Sequence, residues 1–140
     1  MAAAVGLGQL KRLPEFNERR RENARRLHDA ISSIEGLAPP LAAGGVRHVF
    51  HQFTVRVKPA FTMSRDELRT HLEEKGIGSS VHYPLPIHRQ PYYQGLGYRD
   101  SLPVAEEASR EVLSLPVHPG VAQSELNFII EVLRDAGRRS

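Results

Sequence analysis

The chain has 140 residues, of which 40% are hydrophobic and 25% charged, a balance that supports one packed domain and excludes a wholly disordered chain. Without a single cysteine, a disulfide framework, a thiolate zinc site and a cysteine nucleophile are all excluded. Nineteen Lys+Arg against sixteen Asp+Glu give a formal charge of +3, so a nucleic-acid partner is permitted but not demanded. No apolar run approaches the roughly 18 residues of a membrane span. The opening Met1-Ala-Ala-Ala-Val-Gly-Leu-Gly lacks a basic flank and does not read as a signal peptide, so a soluble cytoplasmic domain is expected.

Over residues 2–34, Leu10, Leu13, Phe16, Ala24, Leu27, Ile31 and Ile34 recur at threes and fours, with Arg19, Arg20, Arg21, Arg25 and Arg26 mostly on the other face. That spacing is helical. Pro14 lies inside it and is expected to kink the helix or to begin its second half. Residues 2–8 are small and apolar all round, like a helix with neighbours on every side, and self-association of the free chain is expected from them. Residues 18–26 carry arginine at five of nine positions, but Glu18 and Glu22 interrupt the run and no aromatic is interleaved, so a solvated helix face is expected rather than a nucleic-acid surface.

Gly36, Pro39, Pro40, Gly44 and Gly45 mark a loop. Val49, His51, Phe53, Val55 and Val57 then alternate with Phe50, Gln52, Thr54 and Arg56 up to Pro59, which reads as a half-buried strand with His51 as a core histidine. Ser64-Arg-Asp-Glu67 is a capping box for a helix that turns Leu68 and Leu72 inward and stops at Gly76. Residues 77–83 form a second strand candidate. Tyr92, Tyr93, Gly95 and Gly97 mark a short helical or turning connector. Ser101 and Pro103 look like the cap and early-turn proline of a helix through Leu113. A short strand over 113–117 ends at Pro119-Gly120, and a last helix over 123–136 buries Leu126, Ile129, Ile130 and Leu133. The whole reads as α+β, a small sheet covered by helices.

Of the seven histidines, His48 and His51 are three apart on a strand, point to opposite faces and cannot chelate one metal there. His28 and His71 sit among charged residues on helices and read as surface. His82, His88 and His118 each stand beside proline at a strand exit, but no carboxylate or cysteine lies at ligand spacing, so no metal is expected. Gly76-Ile-Gly78 resembles the start of a phosphate-binding loop, yet Val81 stands where its third glycine belongs. A helix end followed by a strand explains both glycines. In Val81-His82-Tyr83-Pro84-Leu85-Pro86-Ile87-His88, alternate prolines stiffen the chain as it leaves a strand. The segment is either a plain proline-rich connection or a rigid support that holds His82, Tyr83 and His88 outward to phosphate or sugar oxygens. In the second case, both histidines are expected to be replaceable with little loss of stability.

Several blocks together resemble the DegT/DnrJ/EryC1/StrS family of pyridoxal-phosphate-dependent nucleotide-sugar aminotransferases. They are Ala2-Ala-Ala-Val-Gly-Leu-Gly-Gln-Leu-Lys-Arg-Leu, Glu18-Arg-Arg-Arg, His51-Gln-Phe-Thr-Val-Arg, Arg65-Asp-Glu-Leu, Gly76-Ile-Gly, His82-Tyr-Pro, Leu102-Pro-Val-Ala-Glu and Leu113-Ser-Leu-Pro-Val-His-Pro. The similarity covers nearly the whole chain in the family's order and corresponds to the C-terminal small domain of the aspartate aminotransferase fold. It implies residues 1–35 as a helix leading from a large domain and 36–140 as the small α+β domain.

In this family the larger, preceding domain supplies the Schiff-base lysine, the aspartate facing the pyridine nitrogen and the phosphate cup. None of Lys11, Lys58 and Lys75 matches that lysine. No catalytic or cofactor-binding residue is therefore expected in this chain, and pyridoxal phosphate belongs to the complete enzyme. The resemblance implies a substrate loop at His82, Tyr83 and His88, a nucleotide-sugar substrate, an amino donor such as glutamate, and a homodimer or large-domain partner. The alternative is a non-catalytic, truncated or free-standing interaction domain.

Overall fold

The computed structural model describes residues 2–138. Five helices, α1 (Ala2–Ile31), α2 (Arg65–Glu74), α3 (Pro91–Gly95), α4 (Pro103–Glu111) and α5 (Gln123–Gly137), surround three strands, β1 (Leu37–Ala38), β2 (Phe53–Val57) and β3 (Val112–Leu115). The sheet is antiparallel in the order β1-β2-β3, which makes the fold α+β as expected. Phe53, Val55 and Val57 alternate inward along β2. They meet Ala24, Leu27 and Ile31 of α1, Leu68 and Leu72 of α2, and Leu126, Ile129 and Leu133 of α5 in one core. Each fully buried leucine there contributes about 1.5–3 kcal/mol relative to exposure.

Pro14 does not divide α1, which runs unbroken through it. Three of its arginines are paired rather than presented: Arg19 with Glu15, Arg21 with Glu18, and Arg25 with Glu22, each at 2.8 Å. Arg26 donates to Asn127 on α5 at 2.7 Å. The amphipathic second half of α1 is therefore a solvated face over a buried stripe. The first half is different. Val5, Leu7 and Leu10 are all more than 60% exposed, so nothing among the described residues covers them.

Gly36 leads from α1 into β1 with φ +79°, and a Cβ there would fall 2.2 Å from the backbone N of Phe61. Only glycine fits that approach. The two residues of β1, which sequence spacing assigned to a loop, pair Leu37 with Val57 and Ala38 with Arg56. β2 begins later than the alternation suggests. Phe50 adopts φ +46° and turns its N–H to His48 Nδ1 at 2.9 Å, which breaks the extended run before Phe53. His51 consequently lies outside the strand and is exposed, not a core histidine.

The capping box opens α2 as read: Ser64 accepts from the Glu67 amide, and Glu67 accepts from the Ser64 amide at 2.8 Å. His71 corrects a second expectation. It lies one turn beyond Leu68 and is buried with it, because residues three apart share a helix face. Residues 77–83 do not form a strand. They touch the sheet through one bridge, in which Ser80 and Ser114 exchange backbone bonds of 3.1 and 2.8 Å. The α4 helix is capped from Leu102, not Ser101, and ends two residues earlier than expected. The carbonyls of Ser109, in its last turn, and of Val112, just beyond it, accept from the Arg65 guanidinium at 3.2 Å each, which satisfies groups that a helix end leaves open.

Candidate functional site

The segment after Ser80 leaves the sheet edge and passes over α4. His82 and Tyr83 are exposed, Tyr83 at 72%, and their rings meet edge-on with centroids 5.6 Å apart. The peptide between them is cis. Pro84 and Pro86 follow, and the chain then makes a 3-10 turn over Ile87–Arg89. Between this segment and α4 lies a cavity of about 390 Å³, lined by His82, Tyr83, Leu85 and Ile87 on one side and Ala105 and Ala108 on the other. Its walls are mostly apolar, with two aromatic polar tips at the rim, a common make-up for a small-molecule site.

His88 does not stand outward with them. It is 8% exposed, and its Nε2 lies 3.0 Å from Oε1 of Glu106 on α4. The 3-10 turn directs the ring inward, which the proline spacing does not reveal. Glu106 also accepts from Arg89 Nη2 at 3.0 Å and from the Leu102 backbone N–H at 3.1 Å. Hydrogen bonds from His88, Leu102 and Arg89, in that order of weight, lower its carboxyl to about 2. No short motif links Glu106 to His88, eighteen residues apart. The one available signal was an acidic residue in the first turn of a helix.

His118 lies apart from this cluster: its Nδ1 accepts from the Gly120 amide at 3.2 Å and its carbonyl accepts from Asn23 at 3.1 Å. Among the described residues no three His, Asp or Glu side chains are placed to hold a metal ion. Gly76, with φ +74°, closes α2, and no helix opens after Gly78 to complete a phosphate loop.

A second groove, of about 470 Å³, runs between α1 and residues 40–42, lined by Glu18, Arg21, Glu22, Arg25 and Phe50. Its charges are engaged with each other: Arg21 and Arg47 bond Glu18, and Arg25 bonds Glu22. The 82–88 segment is therefore the better candidate.

Lys58 lies 2.9 Å from Glu111 and 3.2 Å from Glu107, which raise its pKa, whereas an attacking amine must be neutral. Lys11 is exposed on α1, and Lys75 is exposed in the turn after α2. Among the described residues, no helix is long and apolar enough to cross a membrane.

The sequence profile described as the DegT/DnrJ/EryC1/StrS aminotransferase family matches residues 1–134. The chain is 37% identical over 140 residues to the dTDP-3-amino-3,4,6-trideoxy-alpha-D-glucose transaminase of Streptomyces venezuelae, covering 99% of this chain and 36% of that protein. It is also 37% identical to the spore coat polysaccharide biosynthesis protein SpsC of Bacillus subtilis (strain 168), over 96% of this chain and 36% of that one. The crystal structure of S. venezuelae DesV in complex with a ketimine intermediate superposes with a TM-score of 0.90 at 36% identity, over 99% of this chain and 36% of its own. The chain thus spans about 36% of the length of these relatives.

Proposed function

Because this chain belongs to the DegT/DnrJ/EryC1/StrS aminotransferase family, we propose that it is the C-terminal, substrate-orienting part of a nucleotide-sugar aminotransferase. The complete enzyme would move an amino group from an amino acid such as glutamate to a keto group of a nucleotide-linked sugar. His82 and Tyr83 would donate to phosphate or sugar oxygens, and His88 would serve the site from behind, through Glu106. The observation that carries this is the exposure of His82 and Tyr83 at the rim of the cavity against α4. Pyridoxal phosphate would be held by a large domain outside this chain, a reading supported by the pairing of Lys58 with Glu111. The exposed apolar face of α1, with Val5, Leu7 and Leu10, supports such a large domain or a second copy as its cover. That same face favours the second reading, a non-catalytic interaction domain.

A chimera tests the choice. Residues 1–134 would replace the matching segment of the S. venezuelae transaminase, and sugar-nucleotide turnover would be measured with pyridoxal phosphate. We expect an active chimera in which His82→Ala and Tyr83→Phe each lower kcat/KM about tenfold, the loss of one hydrogen bond of roughly 1–1.5 kcal/mol. A folded, cofactor-loaded chimera without turnover would leave the interaction domain as the reading, and an active one indifferent to both substitutions would remove His82 and Tyr83 from the site.

A further inference from the structure

One carboxylate oxygen joins the two walls of the cavity. Oε1 of Glu106, on α4, accepts from His88 Nε2 at 3.0 Å, from Arg89 Nη2 at 3.0 Å and Nε at 3.3 Å, and from the Leu102 amide at 3.1 Å. His88 and Arg89 end the segment that carries His82 and Tyr83, and α4 supplies the opposite wall through Ala105 and Ala108. Between Tyr83 and Pro86 the chain has no regular secondary structure, and Pro84 and Pro86 have no amide to donate. Its position therefore depends on how its two ends are held. Upstream the hold is the Ser80–Ser114 bridge, and downstream it is Glu106. Gln94 also donates to the His88 carbonyl, but that contact ties the turn to α3 and not to the cavity's other wall.

We propose that Glu106 is a positioning residue. By fixing His88 and Arg89 against α4, it sets where His82 and Tyr83 stand without touching the ligand itself. What those rings serve rests on the reading above, whereas the clamp rests on this geometry.

The test is the backbone amide order of the 140-residue chain, read by NMR relaxation. In the parent, His82 and Tyr83 should show the order parameter of rigid backbone, about 0.85, and in Glu106→Ala they should fall below about 0.6 while α5 keeps its parent values. Glu106→Gln, whose amide oxygen still accepts from Arg89 and Leu102, should restore part of the order. Unchanged order at 82 and 83 in the alanine variant overturns the proposal. So does a loss spread evenly through α5 and the sheet, which would mark the carboxylate as general scaffolding. If Glu106→Ala does not fold, Arg89→Ala removes two of the four donors from an exposed side chain, and parent-like order at 82 and 83 there is equally fatal. Titrating uridine diphosphate and thymidine diphosphate supplies a separate readout. Shifts at His82 and Tyr83 in the parent that weaken in the variants support clamp and site together. Loop order lost in the variants, with no response to either diphosphate in the parent, keeps the clamp and removes the ligand reading.

Discussion

Nζ of Lys58 stands 2.9 Å from Oε2 of Glu111, a residue only 6% exposed, so the lysine that follows β2 is held as an ammonium. Glu111 contributes most to the rise in its pKa, with Glu107 adding to it. An amine so placed does not attack an aldehyde at neutral pH. Mixing the chain with pyridoxal phosphate should give no stoichiometric aldimine band, and borohydride should leave Lys58 unmodified in the peptide map. One-to-one labelling of Lys58 would show that the pair opens far more readily than its geometry suggests.

Acid should act in part through Glu106. Its carboxyl is lowered from 4.5 to about 2, chiefly by the hydrogen bond from His88. The unfolded chain therefore binds a proton near pH 4.5, which the folded chain refuses until about pH 2. Across that window the unfolded state holds more protons, so stability falls as the pH drops, and above it the contribution is complete. Denaturant midpoints measured from pH 6 down to 2 should decline less steeply in Glu106→Gln than in the parent. Parallel slopes would mean that this carboxylate does not report on folding.

The two histidines of the site segment should separate on stability. His82 is exposed, so His82→Ala should unfold within about 0.5 kcal/mol of the parent, as surface changes do. His88 is buried against Glu106, and its truncation should cost about 1–3 kcal/mol. Urea titration of both variants is sufficient. Equal stability of the pair would contradict the inward placement of His88.

Exposed Val5, Leu7 and Leu10 line the first half of α1, with Leu13 next at 44% exposure. A continuous apolar stripe of this kind seeks a partner. Sedimentation over a wide concentration range should show self-association, and Leu7→Glu with Leu10→Glu should return the chain to monomer. A parent that stays monomeric at high concentration would remove this expectation.

Much of the fold was legible because it is written within single turns. The Ser64–Glu67 capping box needs only three residues of separation, and the burial of Ala24, Leu27 and Ile31 follows from helical period alone. The alternation of Phe53, Val55 and Val57 likewise sets the inner face of β2. His82 and Tyr83 stood out from the prolines that follow them, since those prolines limit the backbone locally.

What depended on distant neighbours was not legible. β1 exists because Leu37 and Ala38 find Val57 and Arg56, and two residues carry no periodicity of their own. The run over 77–83 has strand composition but meets a partner only at Ser80. His51 reads as core until Phe50 turns its amide to His48 and ends the strand early. His88 becomes an interior group because α4 brings Glu106 to it across eighteen residues. Local hydrogen bonds and side-chain period are properties of the chain alone. Burial and pairing are properties of whatever the chain happens to meet, and here they decided which histidine faces the solvent and which holds the loop.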